Sequence, residues 1–265
     1  MARRDRSGNG DPSPWVRPGF IAAALVIVVA VACGLYALTT TGGHRNAAAP
    51  ARTTAPSTVT TNRTREIVKA KTAAKGTGGC DVPPGPQTVP TTAPSNVTWT
   101  LWRTAALPSS PTAGPMVVQG DLARCYAHSP LGALIAAAQI NSRYELAMTT
   151  KEWQSIVYSQ MVPSSGRNKL VAETAAAQKA DPAAFGAPTP PGLFPQIAGF
   201  LFISYSSQEA VIDIVVTKSD QYGVASEALS WAGADWKLDV QPDGATTGPV
   251  SVVSSTVGYV AWSGV

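Results

Sequence analysis

The stretch "AHSPLGALIAAAQINSRYELAM", residues 127–148, decides how the folded part of the chain begins. Ser129 followed by Pro130 predicts a helix start, because a serine side chain accepts hydrogen bonds from the free amides at an N-cap and a proline at the first helical position loses none. The following apolar residues recur at helical spacing. They form a broad face: Leu131, Leu134, Ile135, Ala137, Ala138, Ile140, Tyr144 and Ala147. The stretch therefore predicts a long helix whose small alanines let a partner sheet approach closely.

The same region brings Cys125, His128 and Ser129 within five positions, a grouping that raises the question of a nucleophilic active site. Ser129 has a structural role as the predicted N-cap, and no carboxylate lies near His128 in the sequence to orient it as a base. A lone histidine just before a helix is typical of a packing or capping residue. We therefore predict a structural rather than a catalytic role for His128.

Two further helices are predicted after the first. Thr149 and Glu152 stand three apart, as in a capping box, and precede a second apolar run that has to end before Pro163. A weaker helical pattern covers residues 165–179.

After a Pro-rich loop over residues 187–199 the apolar period changes from helical spacing to two, which predicts strands. Residues 199–207 and 209–219 read as a pair of strands joined by a polar turn, and residues 222–231 and 235–244 read as a second pair. Residues 249–265 form a strand-prone tail that is expected to pack back on the domain through Trp262. Helices followed by an antiparallel meander indicate an α+β fold with a curved sheet.

Residues 19–38 are 20 consecutive residues without a charge, the length that a helix needs to cross a bilayer. Arginines are concentrated before this segment, so residues 1–18 are predicted to be a cytoplasmic tail and the chain that follows to be extracytoplasmic. A cleaved signal peptide or a lipoprotein signal at Cys33 are alternative readings, and both also export the C-terminal region. The predicted location is therefore the cell membrane, with a single pass.

The exported part divides by composition. Residues 39–79 are rich in Thr, Ala, Pro and Lys and poor in large apolar residues, which predicts a flexible linker. Residues 80–112 are Pro-rich and are interpreted as an extended arm, and residues 113–265 as the α+β domain. Cys80 and Cys125 are the two cysteines beyond the linker, and in an oxidising compartment they predict a disulfide.

Several kinds of chemistry have no sequence signature here. The net charge of +4 is scattered and no Lys/Arg run is interleaved with aromatics, so no nucleic-acid partner is predicted. No metal or cofactor motif occurs, and no cofactor is predicted. One enzymatic hypothesis remains: Asp213, in "VIDIVV", could act as a buried carboxylate base if it lies in a pocket.

The order of helices followed by a meander over residues 113–242 resembles the cone-shaped nuclear transport factor two-like fold. Together with one membrane anchor and a long tether, the layout is similar to the bitopic VirB-type and TcpC-like scaffold proteins of type IV secretion and conjugation systems, and "HSPLGALIAAAQI" (residues 128–140) looks like a stretch of proteins from actinobacterial conjugative elements. The resemblance implies a non-catalytic assembly subunit that self-associates into a homo-oligomer and docks other membrane subunits. An accessory subunit of a mammalian-cell-entry-type uptake system and a cone-fold enzyme or ligand binder using Asp213 remain alternatives.

Overall fold

The computed structural model of the chain describes residues 80–148, 150, 152–186 and 188–264. The predicted tail, membrane helix and linker, residues 1–79, lie outside the described residues. Within the part that is described, no helix is both long enough and apolar enough to cross a bilayer. The helices are α1 (Pro130–Ala147), α2 (Trp153–Gln160), α3 (Ser165–Ala180) and α4 (Pro182–Gly186). The strands are β1 (Thr98–Trp102), β2 (Ala105–Ser109), β3 (Val117–Gln119), β4 (Leu122–Arg124), β5 (Gln196–Tyr205), β6 (Glu209–Lys218), β7 (Gln221–Ala232), β8 (Asp235–Leu238), β9 (Ser251–Val253) and β10 (Val260–Ala261).

The predicted α+β class is confirmed. The main sheet has the strand order β10–β5–β6–β7–β8, and every neighbouring pair is antiparallel. β9 also pairs with β7, at the end of that strand away from β8. Two small hairpins, β1–β2 and β3–β4, precede the helices. β5 to β8 therefore form the meander that the period-two pattern predicts, although the last of these strands ends at Leu238 and not at residue 244.

Helix α1 is the centre of the domain. Its start agrees with the sequence prediction, because the Ser129 hydroxyl accepts a hydrogen bond from the Gly132 amide at 3.1 Å. The helix packs against β2, β6, β7, β8 and α2, and its residues are buried on nearly every side. Gly132 is required where the chain turns into the helix, since a Cβ at residue 132 would lie 2.0 Å from the carbonyl oxygen of Ala127, just before the helix. The small alanine side chains thus allow close packing on several sides of α1, and not only on the side that faces the sheet.

The other helices lie where the apolar pattern predicts them, with one correction. α2 ends at Gln160, before Pro163, and α3 begins at an N-cap, Ser164, whose hydroxyl accepts the Arg167 amide at 3.0 Å. The capping box predicted from Thr149 and Glu152 is wrong, because Glu152 is itself the N-cap residue of α2 and makes no side-chain cap.

Residues 80–112 are not simply an extended arm. Their second half folds into the β1–β2 hairpin, and the β2 residues Ala105 and Leu107 are buried against Leu146 of α1. The packed part of the chain therefore begins before Ala113. The first half of this segment is extended and is held to the domain by Gln87, whose side-chain amide donates to the His128 carbonyl oxygen at 2.7 Å.

The C-terminal tail closes the core as predicted. Trp262 is buried, and its ring lies 4.8 Å from that of Trp99 and 5.5 Å from that of Phe200. These three aromatic residues come from the tail, from β1 and from β5. The core is thus completed by residues from both ends of the described chain.

The two faces of the meander differ in character. The inner face, which packs against α1, carries the cross-strand row Phe202, Ile212 and Glu227. The opposite face, called here the outer face, carries Leu201, Ser204, Val211, Asp213, Ser226 and Ala228 in register, with Ile203 in the β-bulge beside Ser204. The same alternation places Glu209, Ser230 and Lys237 on it. Two register shifts in β5 bend this strand, as expected of β-bulges.

Candidate functional site

The disulfide predicted from the two exported cysteines is present. Cys80 and Cys125 are bonded, their Cα atoms are 5.2 Å apart, and the bridge ties the extended segment to the residue after β4. Cys125 is buried and has a left-handed backbone conformation with φ 70°. The bridge removes Cys125 from the possible nucleophiles.

Asp235, at the start of β8, holds the same junction from the other side. Its carboxylate accepts the amides of Cys125 and Tyr126, each at 2.8 Å, and that of Trp236 at 3.0 Å. Burial raises the pKa of Asp235, and the three backbone donors oppose that rise. Hydrogen bonds from backbone amides are the compensation that a buried carboxylate requires. We therefore assign Asp235 a structural role.

His128 lies beside two tryptophans and not beside a nucleophile. Its ring stacks on Trp231 at 4.0 Å with an interplanar angle of 9°, and it meets Trp236 edge-on at 6.1 Å. The Nε2 atom of His128 forms a hydrogen bond with the Ser207 carbonyl oxygen in the β5–β6 turn. The Ser129 hydroxyl is engaged at the helix start. These contacts agree with a packing role for His128.

Asp213 is separated from the residues that face α1. It lies on the outer face, half-buried, and accepts a hydrogen bond from the Ser226 hydroxyl of β7. Its neighbours along β6, Ile212 and Ile214, face the core instead. A base at Asp213 would need an enclosing pocket. The inner face of the sheet does not form that pocket, because Asp213 lies on the outer face.

A different carboxylate occupies the inner face. Glu227 is 4% exposed, pairs across the sheet with the fully buried Ile212, and has one carboxylate oxygen, Oε2, that is buried without a hydrogen-bond partner. Acidic side chains are almost never buried in this way unless they are paired. A buried carboxylate with an unpartnered oxygen makes Glu227 unusual among the described core residues.

Helix α1 brings two further polar residues to Glu227. Asn141 and Glu145 are one turn apart and share a helix face, and the Asn141 amide nitrogen lies 3.4 Å from a Glu145 oxygen. The amide oxygen of Asn141 is buried and unpartnered. We call Asn141, Glu145 and Glu227 the acidic site. Glu145 keeps exposed surface, so the site is open to water on the helix side.

The electrostatics of the acidic site favour the neutral form of Glu227. Burial and then the Glu145 charge raise the pKa of Glu227 well above 4.5, opposed by the Asn141 side chain. Glu145 keeps exposed surface, so water solvates its charged form and the site retains a negative charge on the helix side.

Substituting Glu227 should change how stability depends on pH. The folded chain retains a proton on Glu227 that the unfolded chain loses above about pH 4.5, so the contribution of this proton to stability is complete below that pH. The contribution declines as pH rises towards the raised pKa of Glu227 in the folded chain. We expect Glu227→Gln, which mimics the protonated side chain, to raise the free energy of unfolding at pH 7.5 by about 1–3 kcal/mol.

Thermal unfolding followed by tryptophan fluorescence between pH 5 and pH 8 measures this effect. The gain should grow with pH, and Glu152→Gln, a substitution of an exposed carboxylate elsewhere, should leave the curve unchanged. Equal pH slopes for the wild type and Glu227→Gln would contradict the assignment.

A second polar cluster joins the hairpins to α1. Arg103 pairs with Asp121 at 2.6 Å, and the buried Arg143 donates to the Asp121 carbonyl oxygen at 3.2 Å. Both guanidinium groups lie over the Trp102 ring, at 4.8 and 4.5 Å. A cavity of about 370 Å³ opens beside Arg103. Because both arginines are engaged within the domain, we interpret this cluster as structural.

No group of three or more His, Cys, Asp or Glu side chains in residues 80–264, apart from the positions that are not described, is arranged to hold a metal ion. The acidic site supplies two carboxyls and one amide.

Comparison with known proteins gives one match. A protein-family model described as "Domain of unknown function (DUF8175)" matches residues 41–261. No curated protein and no solved structure matches the chain. Since the matched segment covers most of the 265 residues, the chain belongs to the DUF8175 family.

Proposed function

We propose that this protein is a membrane-anchored, non-catalytic assembly subunit whose α+β domain associates with a second copy of itself through the outer face of its sheet. In this proposal residues 19–38 cross the membrane once, and the α+β domain is extracytoplasmic and has a cone-shaped, nuclear transport factor two-like arrangement. The protein would then belong with the scaffold subunits of conjugation or type IV secretion complexes. The order of the segments in the sequence and the apolar side chains of the outer face support this proposal.

The observation that carries the proposal is the exposure of apolar side chains on the outer face. Ile203 is 56% exposed in the β-bulge near the end of β5, and Leu201 and Val211 beside it are only half-buried. Monomeric proteins rarely leave a contiguous apolar sheet face open, and such surfaces are typical of interaction sites.

A second copy is the occupant that fits this face. A two-fold interface places the same residues opposite themselves, so it tolerates apolar and small side chains and penalises unpaired charges. The small residues Ser226 and Ala228 of β7 allow close approach, and the Asp213 carboxylate is already hydrogen-bonded to Ser226. The same face also carries Glu209 and Lys237, whose opposite charges can pair between two copies.

Cysteine cross-linking in intact cells tests the proposal. In a Cys33→Ser background, Ile203→Cys and Val211→Cys are each expected to give a disulfide-linked dimer on non-reducing gels. Tyr158→Cys is the matched control, because Tyr158 is also 56% exposed but lies on α2. Monomers at both outer-face positions, or equal dimer yields at Tyr158, would contradict the proposal.

The identity of the complex requires a separate experiment. After cross-linking in cells, the full-length chain is purified from detergent-solubilised membranes and its partners are identified. Secretion ATPases and channel subunits would support a conjugation or secretion scaffold. Transporter permeases would instead favour the accessory subunit of a mammalian-cell-entry-type uptake system.

A further inference from the structure

The two cysteines of the disulfide differ in their access to solvent. Cys125 is 1% exposed, whereas Cys80, at the start of the described chain, is only half-buried. A thiolate that opens a disulfide has to reach one of the two sulfur atoms, and access decides which sulfur it attacks. An external thiolate can therefore reach Cys80, and the sulfur that it displaces is that of Cys125.

A positive charge lies beside both sulfur atoms. Arg124 Nη1 is 3.5 Å from Cys125 Sγ and 3.8 Å from Cys80 Sγ, and it donates to both. A neighbouring guanidinium stabilises a thiolate, and a thiol that is more stable as its thiolate leaves a disulfide faster. The pairing of Arg124 with Val117 in the β3–β4 hairpin fixes its backbone. Arg124 is thus placed to stabilise the sulfur that leaves.

Other contacts hold each cysteine near its position when the S–S bond is open. The Cys125 amide donates to the Asp235 carboxylate at 2.8 Å, and this carboxylate is also bonded to two further backbone amides. On the side of Cys80, Val82 packs against the core and the Gln87 side chain hydrogen-bonds to the backbone just before α1. The two sulfur atoms therefore stay close enough to bond again, which makes opening of the bridge reversible.

We propose that the Cys80–Cys125 bridge is a site of thiol–disulfide exchange, at which the dithiol of a protein oxidoreductase bonds to Cys80 and releases Cys125 beside Arg124. In the first step one thiolate of the dithiol attacks Cys80. A new S–S bond forms as the Cys80–Cys125 bond breaks, and the electron pair of the broken bond leaves on Cys125.

In the second step the other thiol of the dithiol loses its proton to solvent and attacks its neighbouring sulfur, which releases Cys80 as a thiolate. The dithiol is oxidised by two electrons and the bridge is reduced by two, while protons from solvent convert the released thiolates to thiols. The proposal goes beyond self-association and is independent of it.

Trapping the mixed disulfide tests this inference. The full-length, detergent-solubilised Cys33→Ser protein is incubated at pH 7.5 with a thioredoxin whose second active-site cysteine is replaced by serine, so that the first step occurs and the second does not. Free thiols are then blocked with N-ethylmaleimide, and peptide mass spectrometry locates both modifications. We expect thioredoxin on Cys80 and the maleimide on Cys125. Reduced glutathione, the small-thiol alternative, should react more slowly at the same concentration, because less of it is ionised at this pH.

Substitution of Arg124 separates a role in the exchange from a role in stability. Arg124→Gln should slow formation of the mixed disulfide at least about threefold, because the leaving thiolate loses its neighbouring cation. Arg124→Lys should restore most of the rate. A purely structural Arg124 predicts the opposite sign, since a loosened domain exposes its bridge to attack. Lys179→Gln removes an exposed positive charge from the last turn of α3 and is the matched control, with the rate of the wild type.

The location of the adduct in the wild type keeps the test decisive even if Arg124→Gln does not fold. The inference is overturned if the folded protein forms no mixed disulfide, if thioredoxin is found on Cys125, or if glutathione reacts as fast as thioredoxin. A folded Arg124→Gln variant that reacts as fast as the wild type, or faster, would overturn it as well.

Discussion

Replacing Asp235 with alanine is expected to lower the free energy of unfolding by about 3–5 kcal/mol, because three backbone amides lose their acceptor and each buried unsatisfied donor costs about 1–3 kcal/mol. Two of these amides belong to Cys125 and Tyr126, and the third to Trp236. Cys125 also has a strained left-handed backbone, and the carboxylate is what holds it in place. Thermal unfolding should show a midpoint at least roughly 6 °C lower.

Asp243→Ala is the matched control. Asp243 also accepts a backbone amide, that of Ala245 at 3.0 Å, but this hydrogen bond is exposed to solvent. Water can replace an exposed acceptor, so we expect a loss below about 1 kcal/mol. Similar losses for Asp235→Ala and Asp243→Ala would show that burial of the Asp235 hydrogen bonds contributes little.

Reducing the disulfide is the second large effect. Cys80 and Cys125 are separated by 45 positions, and in the chain-entropy account a loop of this length stabilises the folded state by about 4 kcal/mol. Without the bond, the segment before β1 is expected to loosen at its start, although Val82 packs against the core and Gln87 hydrogen-bonds to His128 and Tyr205. The unfolding midpoint should fall by roughly 8–16 °C.

The measurement compares thermal unfolding of the chain with and without a reductant. The double variant Cys80→Ser/Cys125→Ser should unfold at the midpoint of the reduced wild type and should not respond to reductant. A Cys33→Ser variant should behave as the wild type in both conditions. A reductant-independent midpoint for the wild type would mean that the segment is held by other contacts.

The local chemistry of the sequence predicted much of the fold. Ser129 and Pro130 mark the start of α1 to the residue, because an N-cap serine and a first-turn proline act through their own backbone neighbourhood. The meander was also predictable, since the alternation around Trp236 and Leu238 reports one buried face, and both residues are fully buried. Signals of this kind depend on residues that are close in sequence.

The acidic site was not predictable in the same way. In "VASEALS", residues 224–230, small residues flank Glu227 on both sides, so alternation alone does not say which face is inward. Pairing decides it: Ile212 stands opposite Glu227, and Asp213 stands opposite Ser226. Asp213 is the candidate acid that the sequence suggests, because its strand is the more hydrophobic one. The register instead places Glu227 on the inner face of the sheet.

The β1–β2 hairpin was missed for a related reason. Its buried strand, "AALPS", is short and contains a proline, a composition typical of a loop. Ala105 and Leu107 become core residues only through contact with Leu146, about forty positions later. No local pattern reports a contact at that distance.

The position of Trp262 has a consequence for cleavage of the tail. Its ring joins those of Trp99 and Phe200, so one aromatic cluster unites residues that lie more than 160 positions apart. A proteolytic cut that released Trp262 would leave Trp99 and Phe200 without that cover. The cut domain would then present an apolar surface that chaperones and proteases recognise, so damage to a short tail would mark the whole domain for removal.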